Sequence, residues 1–305
     1  MDTVARGCAV TSTIALSSEQ AVAAYPDEVV TNALTRLVRV PGLDRPVALI
    51  TLDNGHDHTR PNTFGPQGLV RLNEAFDQAI AANPAAIAVT GKPFIFAVGA
   101  DLSGVERVAT VELARQIAQA GHDVFRRFTD STIPTFAFVN GAVLGGGLEL
   151  ALSCHYRTLA TNTGAISFPE CFLGLFPGWG GTQLLPNLIG ADAAVTVIIE
   201  NALNQNKMLR PRQALDLGIV DVAFDSADYL EQSLRWLAGV VCGEITPPRR
   251  EIDRGAAWDA ALARGRSFVD AKTHGASPGA AKAIDLLELA RDNDIERGYA
   301  SVSAA

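Results

Sequence analysis

Residues 138–181 read FVNGAVLGGGLELALSCHYRTLATNTGAISFPECFLGLFPGWGG, and the fold turns on how this stretch is taken. The apolar run Phe136–Val139 leading into it predicts a buried strand. Gly141 and the triplet Gly145, Gly146 and Gly147 follow, and Leu148–Cys154 has helical spacing. A strand, a glycine turn and a helix in succession leave unpaired backbone N–H groups at the helix start. Those donors and the helix dipole favour negative charge, and glycine lets the backbone come close to a ligand. Glu149 stands three residues after Gly146, on the same helical face. Glu170 comes later in Phe168-Pro169-Glu170, ahead of a second glycine-rich turn, Pro177-Gly178-Trp179-Gly180-Gly181. Two carboxylates around an anion-stabilising turn suit proton transfer beside an enolate. Taken singly, each feature also has an ordinary reading: a tight turn, a first-turn glutamate facing the dipole, a surface carboxylate after proline.

Three pieces of the chain together resemble the crotonase (enoyl-CoA hydratase/isomerase) superfamily. They are Phe96-Ala97-Val98-Gly99-Ala100-Asp101-Leu102, then Gly141 through Leu150, then Phe168-Pro169-Glu170 continuing from Leu173 to Gln183. They occur in the family's order and at about its spacing, and the resemblance covers roughly residues 35–245. It implies an α/β fold, a spiral of ββα units, with a helical C-terminal region. It also implies that the backbone N–H groups of Ala100 and Gly146 hold the oxyanion of a thioester enolate, and that Glu149 and Glu170 are the family's two catalytic glutamates. A side chain at Gly146 is expected to crowd the thioester. The remaining substrate-binding positions implied are Asn62, Val98, Asp101, Leu102 and Gly145. Asn62 would lie near the pantetheine and adenine, Val98 would offer backbone groups to the adenine, and Asp101 would start the turn capping the next helix. Ser103 stands where a lysine contacting the nucleotide often sits; Lys92 and Arg60 are substitutes, each otherwise a solvated surface charge. The spacing from Glu149 to Glu170 is about one residue longer than the family pattern, in Thr161-Asn162-Thr163-Gly164, where an insertion at a loop tip is tolerated.

The chain has 305 residues, 48% hydrophobic and 19% charged, the balance of a soluble globular enzyme with one large domain and an appendage. A net charge of −8 argues against a nucleic-acid surface. The four cysteines, Cys8, Cys154, Cys171 and Cys242, form no C-x-x-C, which suits a reducing, cytoplasmic setting. No apolar run is long enough to span a membrane. Residues 1–24 make a poor signal peptide and are expected to be disordered or loosely attached. His56 and His58 form an H-x-H pair, but His122, His155 and His274 lack partner spacing, so no metal is expected. There is no G-x-S-x-G elbow and no phosphate-binding G-x-x-x-x-G-K-[ST].

Residues 35–53 carry two runs around Pro41-Gly42-Leu43-Asp44 and predict a hairpin. A helix opens at Pro66 with apolar positions Leu69, Leu72, Phe76 and Ile80. Ala85–Val89 is a short buried strand, Gly91-Lys92-Pro93 a turn into Phe94-Ile95-Phe96, and residues 110–130 a long amphipathic helix. Alternating short strands and helices point to an α/β fold with mostly parallel strands. Helices follow at Gly181–Leu188, Asp192–Asn201 and Arg212–Leu217, a strand at Val220–Phe224, and a helix at Tyr229–Cys242. Residues 244–252 read as a linker to helical stretches at 255–272 and 278–292. The division expected is an N-terminal extension (1–34), a core (35–245) and a helical appendage (246–305). The appendage resembles the region after the hydratase part of the multifunctional fatty-acid oxidation enzyme. No G-x-G-x-x-G opens a βαβ unit, so no dinucleotide site is expected.

By resemblance the function is an enoyl-CoA hydratase adding water to a trans-2-enoyl-CoA to give a 3-hydroxyacyl-CoA in fatty-acid β-oxidation. It needs no cofactor, coenzyme A being part of the substrate. Retention of both glutamates favours hydratase over the alternatives, an enoyl-CoA Δ isomerase and a non-catalytic acyl-CoA-binding subunit of an oxidation complex. The resemblance also implies a homo-oligomer, a trimer or a hexamer built of two trimers.

Overall fold

The computed structural model describes residues 14, 16–107 and 110–303. Helix α1 (Ser18–Ala24) precedes the antiparallel pair β1 (Asn32–Val38) and β2 (Val47–Asp53), the hairpin expected around Pro41. Helix α2 (Pro66–Ala81) then leads to β3 (Ala86–Gly91), β4 (Phe94–Ala97), a 3₁₀ turn over Leu102–Arg107 and α3 (Val111–Thr129). Next come β5 (Thr135–Val139), β6 (Gly141–Leu144) and α4 (Gly146–Ser153). They are followed by β7 (Tyr156–Ala160), β8 (Ile166–Ser167), a 3₁₀ turn at Glu170–Leu173 and α5 (Gly181–Ile189).

These elements build two sheets. The larger has the order β1-β2-β3-β5-β7-β9 and the smaller β4-β6-β8, where β9 is Val222–Phe224. Every pairing after β1–β2 is parallel. Each turn of the chain thus lays one strand in the large sheet, the next in the small sheet, and then a helix. The successive units β3-β4-α3, β5-β6-α4 and β7-β8-α5 are the steps of a ββα spiral. Strand β5 is buried at every position, and so is β3, as parallel strands covered on both faces must be.

The rest is helical: α6 (Ala191–Val195), a π turn over Thr196–Glu200, α7 (Asn201–Leu203), α8 (Pro211–Leu217) and α9 (Tyr229–Val241). Then come α10 (Ala256–Thr273), α11 (Pro278–Leu289) and α12 (Ile295–Ser303). Helix α9 covers one face of the large sheet, its Tyr229, Leu237 and Ala238 packing with Val47, Ala88, Phe136 and Phe138. On the other face a single apolar cluster runs from Leu16 and Ala21 through Val139 and Leu150 to Trp258, Ile284 and Leu287. The N-terminal and C-terminal segments therefore share one core with the spiral.

Three expectations need correcting. Of residues 1–24, residues 1–13 and 15 lie outside the described residues, but 18–24 are not loosely attached: they form a helix that starts with a capping box, Ser17 Oγ accepting from Gln20 N–H while Gln20 Oε1 accepts from Ser17 N–H. The strand at Val139 does not turn straight into the helix, because β6 is interposed to serve the second sheet. Ile80 is 43% exposed, so the buried stripe of α2 ends at Ala79.

Candidate active site

Helix α4 begins where Gly145 takes φ +50°, ψ −125°, a conformation only glycine holds cheaply. Gly145 N–H is used by Ser167 O at 2.9 Å, and Gly145 O accepts from Glu149 N–H at 3.0 Å. Gly146, the first helical residue, carries one of the N–H groups a helix start leaves without an intrahelical acceptor.

Ala100 reaches the same spot from β4. Phe64 and Ala100 form a parallel bridge in which Phe64 N–H donates to Gly99 O (2.8 Å) and Asp101 N–H donates to Phe64 O (3.0 Å). In that pattern Ala100's own N–H points away from Phe64. Gly99, at φ +92°, lies so close to α4 that a Cβ on it would be 3.1 Å from Gly146 N. The strand end that carries Ala100 and the start of α4 at Gly146 therefore meet in one rim.

Both carboxylates flank this rim. Glu149 is 1% exposed, and its Oε1 accepts from the Trp179 and Gly181 amides at 2.8 Å each. Burial pushes its pKa up to about 7, against the opposing pull of those two bonds. Glu170 lies over Gly145: a Cβ there would be 2.5 Å from Glu170 Oε1. The residue as a whole keeps some exposure, but its Oε2 is buried without a partner. Burial first, and the Glu149 charge second, hold its pKa well above the ordinary carboxylate range. Two interacting carboxyls of this kind titrate as a pair. With both pKa values raised, the pair holds protons to higher pH than free carboxyls do, and proton exchange between buried carboxyls and a substrate is the chemistry of general acid–base catalysis. Between them the chain turns after β7, where Thr163 N–H donates to Ala160 O at 3.1 Å.

The pKa of Glu149 carries a stability consequence. A folded-state value raised from 4.5 to about 7 means its contribution is fully present below about 4.5 and is lost as pH rises through 7. Glu149→Gln keeps an oxygen for the Trp179 and Gly181 amides but cannot ionise. Urea unfolding is expected to show the variant stabilised at pH 8.5, by on the order of 3 kcal/mol, with no advantage at pH 4. An advantage at the acid end instead would show that the buried carboxylate is not penalised.

The other expected binding positions are held by contacts within the protein. Asn62 is fully buried: its Nδ2 donates to Leu52 O (2.9 Å) and Phe96 O (3.1 Å), and its Oδ1 accepts from Asn54 N–H (3.1 Å). Its side chain staples β2 to β4. Val98 N–H is likewise taken, by Asn62 O at 2.9 Å. Lys92 is neither a phosphate contact nor a solvated charge: it is buried, and its Nζ donates to Asn54 Oδ1, His56 O and Arg60 O, tying down the loop after β2. A Cβ on Gly146 would strike the Trp179 indole at 2.4 Å, so the first thing a side chain crowds there is that ring. Asp101 does begin the turn, its Oδ1 accepting from Ser103 N–H at 3.0 Å, and Leu102 is exposed beside it. His56 and His58 gather no further ligand: among the described residues no three His, Cys, Asp or Glu side chains cluster at metal-binding range.

Two residues of the site escape sequence reasoning. Trp179 lies in a glycine-rich motif that gives it no evident role, yet its backbone holds Glu149 while its ring fills the space left by Gly121 and Gly146. Tyr299, on α12, packs against Gly180, where a Cβ would be 2.8 Å from its hydroxyl oxygen. That hydroxyl is buried without a partner, and burial and then the Glu149 charge raise its pKa. No local signal in the sequence connects position 299 with the turn at 180.

A family model described as enoyl-CoA hydratase/isomerase matches residues 43–245. The chain belongs to that family. Among curated relatives of this hydratase/isomerase family member is the fatty acid oxidation complex subunit alpha of Shewanella loihica, 34% identical over 272 residues. That match takes in 84% of this chain but only 36% of the relative, so the chain spans about a third of that protein's length. Among solved structures, an enoyl-CoA hydratase from Bacillus anthracis is 22% identical with a TM-score of 0.59, over 88% of this chain and 90% of that one. Human mitochondrial Δ3-Δ2-enoyl-CoA isomerase is 21% identical with a TM-score of 0.57, over 86% and 97%. These two show the crotonase fold alone, and hydratase and isomerase share it about equally.

Proposed function

We propose that the chain hydrates a trans-2-enoyl thioester of coenzyme A to the 3-hydroxyacyl thioester, as a step of fatty-acid β-oxidation. The observation carrying this reading is the pair of buried carboxyls, Glu149 and Glu170, set against one glycine turn, both with their pKa values raised by burial. Hydration needs a base for water and an acid for C2, and an isomerase needs one carboxylate only. The Ala100 and Gly146 amides supply the pre-set donors for the enolate oxygen, each worth about 3–4 kcal/mol to the transition state. The relative's name, a fatty acid oxidation complex subunit, supports the metabolic setting.

In this reading no group is needed beyond the coenzyme A of the substrate, and the working form is a cytoplasmic homo-oligomer, a trimer or hexamer. The buried thiols of Cys154 and Cys171 suit a reducing compartment: burial pushes Cys154 up to about 12 and Cys171 higher still. No described helix is long and apolar enough to cross a membrane. Purified protein offered trans-2-enoyl-CoA is expected to bleach the conjugated thioester absorbance. Turnover of 3-enoyl-CoA without bleaching of the 2-enoyl substrate would make it an isomerase, and tight binding of both without turnover a non-catalytic subunit.

A further inference from the structure

The segment ahead of the family match makes an unexpected set of contacts. Leu16 and Ala21 are buried in the core, so the backbone from Ser17 onward is anchored. From that anchor three side chains reach the strand pair Phe64–Ala100 from both ends. Thr31 Oγ1 donates to Thr63 O at 2.7 Å and accepts from Thr63 N–H at 3.2 Å, one residue before the bridge. Glu28 accepts from the Gln67 and Gly68 amides at 2.7 and 2.8 Å, capping α2 from outside the helix. Its carboxyl fills the side-chain space of the N-cap residue, Gly65, where a Cβ would be 2.4 Å from Glu28 Cδ. Tyr25 Oη shares a hydrogen bond with Ser103 Oγ at 2.8 Å, and its ring lies on Gly104, where a Cβ would be 2.7 Å away. Ser103 Oγ in turn donates to Asp101 Oδ1 at 2.5 Å. The loop that follows Ala100 is thus held by a chain of bonds, Tyr25 to Ser103 to Asp101.

We propose that residues 17–31 are a brace for the oxyanion-binding loop, and that Tyr25 is a positioning residue acting through Ser103 on the Ala100 amide. The physical reason is the tolerance of the site. An oxyanion donor displaced by a fraction of an ångström loses most of its advantage, because its worth lies in being fixed before charge develops. The turn over Leu102–Arg107 is a short 3₁₀ piece, so its register depends on outside contacts. The brace supplies them from a part of the chain outside residues 43–245, the span of the family match. The catalytic meaning of the brace rests on the hydratase reading; its structural meaning does not.

The test compares wild type, Tyr25→Phe, Ser103→Ala and the double variant in two readouts. Hydrogen–deuterium exchange over residues 98–107 is expected to speed up about five- to tenfold in Tyr25→Phe, the loss of one half-buried hydrogen bond. For a trans-2-enoyl-CoA, kcat is expected to fall by a similar factor with KM within about twofold, since the bond acts on the transition-state donor. The double variant should be little worse than Ser103→Ala, because the hydroxyl that Tyr25→Phe removes acts on the loop through the serine oxygen. Unchanged exchange in Tyr25→Phe, or additive losses in the double variant, would overturn the proposal. If wild-type protein turns over no enoyl thioester, the hydratase reading fails, while the exchange measurement still decides the brace.

Discussion

Glu149→Gln and Glu170→Gln are each expected to lower kcat for enoyl-CoA hydration by about 10²–10⁴-fold, the worth of one positioned proton-transfer group. The proposed oxyanion donors are backbone amides and survive both changes, so substrate binding, read as KM, should move little. In Glu149→Gln the new amide oxygen still accepts from the Trp179 and Gly181 N–H groups, which keeps the α4–α5 junction in place. Glu170→Gln replaces a carboxyl that burial disfavours as a charge with a neutral amide of the same shape, so neither variant is expected to fail through misfolding. The double variant should be little worse than the poorer single, because the two carboxyls serve one addition and loss of either stops it. The rate of bleaching of the enoyl thioester, with thermal unfolding as the folding control, measures all three. Full activity in either single variant would remove that residue from the reaction. Loss in Glu149→Gln with full retention in Glu170→Gln on a 3-enoyl substrate would mean one-carboxylate chemistry.

Why is the carboxylate pair legible in the sequence when its surroundings are not? Glu149 and Gly146 are three residues apart on one helix, so their shared face follows from helical periodicity. The glycine triplet announces a positive-φ turn, and Gly145 adopts one. The large sheet is legible as well, since β2, β3 and β5 are apolar runs between turn residues. The small sheet is only partly so: β6 and β8 are four and two residues long, too short for a period to declare itself. Their placement comes from tertiary pairing. Helix α1 does carry a local signal, the Ser17…Gln20 capping box, but it sits in an Ala- and Ser-rich stretch whose composition points to disorder. Asn62 and Lys92 illustrate the opposite failure. Family position places Asn62 near a ligand and Lys92 stands in for a missing lysine, but the Asn62 side chain bonds carbonyls of β2 and β4 and the Lys92 ammonium bonds carbonyls of the loop after β2. The grip of Trp179 and Gly181 on Glu149, and the approach of Tyr299 to Gly180, join residues far apart in sequence and have no local signature.

The second large effect is expected at Gly147, although it touches no reacting atom. A Cβ there would lie 2.0 Å from Ala97 O and 2.5 Å from Ala97 C. Both are backbone atoms of β4, so no rotamer change can make room. Gly146 differs, since its obstacle is the Trp179 side chain. Gly147→Ala must push α4 away from β4. That displacement acts on the site directly, because α4 carries the Gly146 amide and Glu149 while β4 leads to Ala100. Two costs follow from one movement. Overpacking against a fixed backbone is expected to lose about 3 kcal/mol or more, roughly 6–12 °C in melting temperature for a domain of this size. In the fraction still folded, parting the two amides should lower kcat by about 100-fold or more, the effect of losing one oxyanion donor. Gly164→Ala is the control: nothing lies within 4 Å of its Cβ position, and its φ is not in the left-handed region. That variant should match wild type in both measurements. A Gly147→Ala protein with unaltered melting temperature and kcat would show that the contact between α4 and β4 does not set the spacing of the amides, and the account of the site given by the Ala100–Gly146 rim would have to be abandoned.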